Sequence, residues 1–155
     1  MSNLNTYRLP AEWEPHESTW LSWVHNADTW PYQLKEAQEV YLQFIKSIST
    51  GEKVHLLSGN EKTDVLEARL RNEGVNPDQV IVHACKTDDS WIRDCGPDFL
   101  LGEQDKVILN WKFNAWGEKY LPYDNDNQIP ETIGKYLGLQ CYSPDMVLEL
   151  SLIHI

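Results

Sequence analysis

Residues 17–24, E-S-T-W-L-S-W-V, are rich in strand formers, and across 33–48 apolar or aromatic side chains recur at Leu34, Ala37, Tyr41, Phe44 and Ile48. The second spacing repeats with a helical period, so the pattern predicts a strand followed by an amphipathic helix. After a break at Gly51, Lys53 to Leu57 reads as a strand; Val65, Leu66, Ala68 and Leu70 mark a second helix stopped at Gly74; and Q-V-I-V-H-A, residues 79–84, is a third strand. Val107, Leu109, Trp111 and Phe113 then alternate with Ile108, Asn110 and Lys112, and the preceding turn E-Q-D pairs this strand with P-D-F-L-L, residues 97–101. Ile129, Ile133, Tyr136 and Leu137 predict a third helix ending at Gly138, and L-Q-C-Y (139–142) and M-V-L-E-L (146–150) close the chain as short strands.

The order of elements predicts an α/β fold. Strand, helix and strand are followed by hairpin, helix and strand, which suggests two structural units related by a repeat that has lost its sequence identity. A unit with one open edge cannot bury both faces of its sheet alone, so two such units fit a larger assembly.

At 155 residues the chain is the size of one domain. Thirteen Lys plus Arg against 24 Asp plus Glu give a net charge of −11, which repels phosphate backbones and anionic lipids and so excludes nucleic acid and membrane surfaces as partners. The same field admits a small cation. Cys85, Cys95 and Cys141 form no C-x-x-C pair and read as reduced thiols. The N-terminal residues lack the basic and apolar runs of a signal peptide, and no apolar stretch reaches membrane-spanning length, so a cytoplasmic protein is expected. Seven Trp and seven Tyr against three Phe give much of the aromatic surface a polar handle, suited to a polar pocket or to a core edge.

The densest chemistry is T-D-D-S-W-I-R-D-C-G-P-D-F, residues 87–99, on a loop at a strand end, where α/β folds commonly set ligand groups. Trp91 and Asp94 are three residues apart, and a flat cation could lie with the indole face on one side and a carboxylate fork on its N–H edge. A guanidinium fits that description best. The structural alternative is that Asp94 pairs with Arg93 or another arginine, Asp88 caps a turn and Trp91 fills the core. Asp98, beyond Gly96-Pro97, is expected to face solvent. Cys95 has a carboxylate neighbour and no nearby histidine in sequence, which disfavours its thiolate as a nucleophile. D-N-D-N, residues 124–127, lacks the glycine and glutamate of a calcium loop and reads as a helix start. His16, His25, His55 and His83 are scattered singly, none in ligand spacing with another, and no glycine loop cradles phosphate. Neither metal nor cofactor is expected.

In P-A-E-W-E-P-H-E (10–17), D-D-S-W-I-R-D-C-G-P (88–97), N-W-K-F-N-A-W-G-E-K-Y (110–120) and P-Y-D-N-D (122–126), in that order, the chain resembles the N-terminal part of the agmatine deiminase family, relatives of the bacterial-type peptidylarginine deiminases. The resemblance implies a five-unit pseudo-symmetric α/β-propeller of the guanidino-group-modifying enzymes, of which this chain covers about two units. Residues 1–149 would form the N-terminal part of the catalytic domain and 150–155 a tail outside the pattern. Trp91 and Asp94 match the family's W-x-x-D, whose carboxylate holds the substrate guanidinium while the indole lines the pocket. Asp88, at the head of that block, is counted among the substrate-binding positions. Glu149 matches the glutamate of L-E-G-G, a second acidic group, although Leu150 and Ser151 stand where the two glycines belong and Glu118 replaces a usual glycine. The family's later H-x-D and nucleophilic cysteine are not found in these residues, and His154, with one residue after it, does not supply the first. The implied reaction is hydrolysis of a guanidine C–N bond of agmatine, a linear amidine, to N-carbamoylputrescine and ammonia, a step in putrescine biosynthesis. This chain would be a fragment inactive alone, and a homo-oligomer of the full-length protein is compatible with the resemblance. The competing reading is a non-catalytic acidic aromatic module that binds a cation or a protein partner.

Overall fold

The computed structural model describes residues 4–149 and is mixed α/β, with two compact units. One unit is His16–Ile92; the other joins the residues up to Pro15 with those from Arg93 onward.

In the first unit, β1 (Ser18–Ser22), β2 (Lys53–Leu57) and β3 (Val80–His83) form a parallel sheet in the order β1-β2-β3. Parallel neighbours need crossovers, supplied by α1 (Leu34–Ile48) and α2 (Thr63–Asn72). Alternate residues Leu21, Val54, Leu56, Val80 and Val82 share one face and pack with Leu42, Ile45, Leu66 and Leu70 from the helices. The buried stripe of α1 therefore runs through Leu42 and Ile45, and Phe44 of the expected stripe is exposed. Phe44 is one residue before Ile45, a rotation of about 100° away from the buried line. In α2 it is likewise Leu66 and Leu70, four apart, that are buried, with Val65 outside. Trp23 closes this core under the Arg69 guanidinium, 4.9 Å above its ring.

In the second unit, β4 (Asp98–Leu101) and β5 (Lys106–Leu109) form the expected antiparallel hairpin, and β6 (Cys141–Tyr142) adds in parallel to β5. Strand β5 is shorter than the alternation predicts. Val107 and Ile108 are both buried, and pairing ends at Leu109, leaving Lys112 in a single bridge to Val147. That bridge is what remains of the expected strand 146–150, whose last residue lies outside the described residues, as does the tail 150–155. Three short turns, α3 (Ile92–Cys95), α4 (Ala115–Glu118) and α5 (Asp124–Asn127), precede α6 (Ile129–Leu137), which buries Ile129, Pro130, Ile133 and Gly134. Arg8 pairs with Leu101 at the edge of β4, and its guanidinium grips Glu14 through two 2.7 Å bonds. Among the described residues no helix is long and apolar enough to cross a membrane.

Candidate active site

The loop after β3 carries Asp88 and Trp91 and is fixed from below by buried polar side chains of its own unit. Ser22 Oγ donates to the Asp89 carbonyl at 3.1 Å, and Thr87, almost wholly buried, meets His25 Nε2 at 2.9 Å. Asn60 Nδ2 can only donate, so His25 Nδ1 accepts from it at 3.3 Å and Nε2 carries the proton given to Thr87 Oγ1. Burial pushes the His25 pKa down, opposed by the charges of Asp89 and Asp88, in keeping with that neutral form. Asp89 is occupied within the loop: Oδ1 accepts from the Ser90 amide at 2.8 Å and Oδ2 from Thr29 Oγ1. Asn26 holds the Asp88 carbonyl at 3.3 Å. The indole of Trp91 is 40% exposed, so it does not fill the core. Sequence reading missed this support because Ser22 and His25 lie more than sixty residues upstream of the loop.

The other unit holds the two carboxylates of the resemblance. Asp94 lies on the single turn α3 and is 5% exposed. Arg93 points elsewhere, its exposed guanidinium bound to the Glu12 carboxylate. Cys95 is 3% exposed, which removes it further from the role of nucleophile. Asp98 corrects the expectation of a solvent-facing residue: it is half-buried and accepts a 2.8 Å hydrogen bond from Trp111 Nε1. Burial pushes its pKa up, while the indole N–H and the Arg93 charge pull it down. Its partner was out of sight in the sequence because only the hairpin, which pairs Asp98 with Leu109, brings Trp111 back beside it.

Glu149 is 7% exposed and accepts the Trp116 amide N–H through Oε1 at 2.7 Å. The donor sits in α4, where Trp116 (φ 56°, ψ 49°) and Gly117 (φ 80°, ψ 41°) are left-handed and Ala115 and Glu118 also have positive φ. Such a conformation costs L residues roughly 1–2 kcal/mol each, and Ala115, Trp116 and Glu118 all bear it. The turn is held by Asn114, whose Oδ1 accepts from the Gly117 amide at 2.9 Å, and by edge-on contacts of Trp116 with Phe113 and Tyr120. Asp126 of α5 is a third buried carboxylate, within the P-Y-D-N-D block, which sequence reading took only as a helix start.

Among the described residues the buried charged side chains are Asp94, Asp126 and Glu149, with no Lys, Arg or His in that class. A buried carboxylate is costly unless it has hydrogen-bonding or cationic company, and at Glu149 the Trp116 amide supplies part of it. A pocket of about 250 Å³ in the same unit runs along Asn110, Lys112 and Asp145 and contains none of these carboxylates. His55 and His83, expected to stand alone, lie edge to edge on β2 and β3 with Nδ1 and Nε2 2.8 Å apart. The Trp20 indole stacks over both, at 4.3 and 5.0 Å between ring centroids. Strand register brings the three together. Among the described residues no group of three or more His, Cys, Asp or Glu is placed to hold a metal ion.

The family described as Porphyromonas-type peptidyl-arginine deiminase matches residues 8–155. An agmatine deiminase of Pseudomonas aeruginosa is 33% identical over 96% of this chain, which corresponds to 41% of the relative. Among solved structures, an agmatine deiminase of Enterococcus faecalis superposes with a TM-score of 0.84 at 28% identity, over 97% of this chain and 41% of its own. An agmatine deiminase of C. jejuni with substrate bound gives 0.80 at 26% identity, over 96% and 43%. The chain spans about two fifths of the length of these relatives.

Proposed function

The chain belongs to the Porphyromonas-type peptidyl-arginine deiminase family, and from that premise we propose that it is part of an agmatine deiminase acting in the cytoplasm in putrescine biosynthesis. The observation that carries the reading is Asp94, buried at 5% exposure in the W-x-x-D block. The two units, each with a three-stranded sheet, correspond in this reading to two of the five units of an α/β-propeller.

A guanidinium carbon is a poor electrophile because its charge is spread over three nitrogens. Asp94 binds two N–H groups through its carboxylate fork and Glu149 takes another, so the plane of the guanidinium is fixed for attack; Trp91 supplies the indole of the W-x-x-D block. Asp88 lies with Trp91 on the loop held by Thr87 and Asn26. The family's cysteine thiolate then adds to the carbon, the departing nitrogen leaves as ammonia after taking a proton from the family's histidine, and water displaces the thiolate to give the ureido product. The carboxylates hold the positive charge throughout.

In the full-length enzyme, Asp94→Asn should lower kcat/KM for ammonia release from agmatine by about 100- to 1000-fold with an unchanged melting temperature, because the amide keeps the volume but loses the charge. A mild loss, or a loss that tracks unfolding, would assign Asp94 to the fold. Faster turnover of arginine or of a peptidyl-arginine than of agmatine would overturn the substrate. The 155-residue chain by itself should release no ammonia; turnover by it would place the nucleophile within these residues.

A further inference from the structure

Ala115, Trp116, Gly117 and Glu118 have φ of 52°, 56°, 80° and 62° in succession. Glu118 N–H bonds Asn114 O at 2.6 Å and Lys119 N–H bonds Ala115 O at 3.0 Å, which closes a complete helical turn of the left hand. Nothing about packing requires glycine at 117, since a Cβ there would meet no atom within 4 Å. The requirement is the backbone angle alone. At its head the turn releases N–H groups with no partner inside it: that of Gly117 goes to the Asn114 side chain, and that of Trp116 goes to Glu149.

Glu149 is held there by one oxygen. Its Oε1 takes the Trp116 amide at 2.7 Å, and among the described residues no donor reaches Oε2, although the side chain is more than nine-tenths buried. A carboxylate gripped at one oxygen and open at the other is set to accept an N–H from a bound cation. We infer that the left-handed turn Ala115–Glu118 is a positioning device for the reaction, fixing the Glu149 carboxylate through the Trp116 amide, with Gly117 setting the turn. The inference rests on the proposed role of Glu149 at the guanidinium. A strained segment persists only where its surroundings over-determine it, and here the strain delivers a main-chain donor that no side-chain rotation can withdraw.

Gly138 provides the control. It is also left-handed (φ 67°), it also has open space where a Cβ would go, and it ends α6. In the full-length enzyme Gly117→Ala and Gly138→Ala should lower the melting temperature comparably. Only Gly117→Ala should reduce kcat for agmatine, by about 10- to 100-fold, with KM changed by less than about 3-fold. Gly117→Asn should recover most of the loss, because asparagine tolerates left-handed φ. In a Glu149→Gln background Gly117→Ala should cost little more, since both changes act through one carboxylate. Equal kcat in the two alanine variants, full additivity with Glu149→Gln, or a Gly117→Ala protein that does not fold while Gly138→Ala does, would each reduce the turn to a folding element and overturn the inference alone. An unmutated enzyme that releases no ammonia from any guanidine would overturn the functional reading beneath it, and this inference with it.

Discussion

Asp94 and Asp98 are four residues apart, separated by Gly96 and Pro97, and their surroundings differ because one sits on a turn and the other begins a strand. Asp94 is buried on α3, whereas Asp98 leans on the Trp111 indole with its pKa raised by burial. A carboxyl whose folded pKa exceeds its unfolded value near 4 contributes stability below that pH and loses it as pH rises through the folded pKa. Asp98→Asn keeps an oxygen for the Trp111 N–H and removes the titration. The variant should therefore gain on the unmutated chain as pH rises from about 3 to 7, measured as the difference in melting temperature; a difference constant with pH would show that Asp98 does not feel its burial. The spacing and types of Trp91 and Asp94 suggest a guanidinium, and the exposure of the indole and burial of the carboxylate are what the structure adds. The partners of Asp98 and His55 were not legible, because each is set by strand register rather than by neighbours in sequence.

Among the elements, period and punctuation were enough to find α1, α2, α6 and the strands from β1 to β6, and α2 and α6 stop near Gly74 and Gly138 as expected. What escaped was the left-handed α4, since A-W-G-E contains one glycine and three residues that disfavour the conformation. Gly134, by contrast, looks like a weak point in α6 and is a point of contact. A Cβ there would come within 2.3 Å of Cys141 Sγ and 3.3 Å of the Leu139 carbonyl. In an open helix glycine to alanine stabilises by about 1 kcal/mol; Gly134→Ala should instead destabilise by about 1–3 kcal/mol through overpacking against β6. Chemical denaturation checks this, and Cys141→Ala should restore part of the loss by removing the sulfur. A stabilised Gly134→Ala would mean that α6 and β6 can move apart freely.

Among the described residues of the whole molecule, the histidines with lowered pKa are His25, His55 and His83, all in the unit His16–Ile92. Burial is the leading cause for each; Lys53 adds to it at His55 against Glu17, and His55 adds to it at His83. A folded pKa below the unfolded value of about 6.5 means that the unfolded chain takes protons first, so stability is full above that pH and declines as pH falls through the folded values. Acidification from pH 7 to 5 should accordingly loosen the 16–92 unit before the other. Hydrogen exchange, corrected for its intrinsic pH dependence, should show protection falling at Val54 and Leu56 while Ile108 and Ile133 hold, and His55→Gln should reduce the difference. Equal loss in both units would assign the acid response to another source. At this scale element order gave the α/β class and suggested two units, but not the pairing of His55 with His83, which exists only once β2 and β3 lie side by side.

The grip of Trp116 on Glu149 also has a direction in time. The two residues are 33 apart, and a ribosome adding about 5–20 residues per second delivers the second some 2 to 7 s after the first. During that interval the segment 115–118 has its strain without that acceptor, and only the Asn114 side chain and the turn's own backbone bonds are there to hold it. The bond between Trp116 and Glu149 is thus a late event of synthesis, possible only when the glutamate has emerged, and it records in one short segment that the residues on either side of the interval have met.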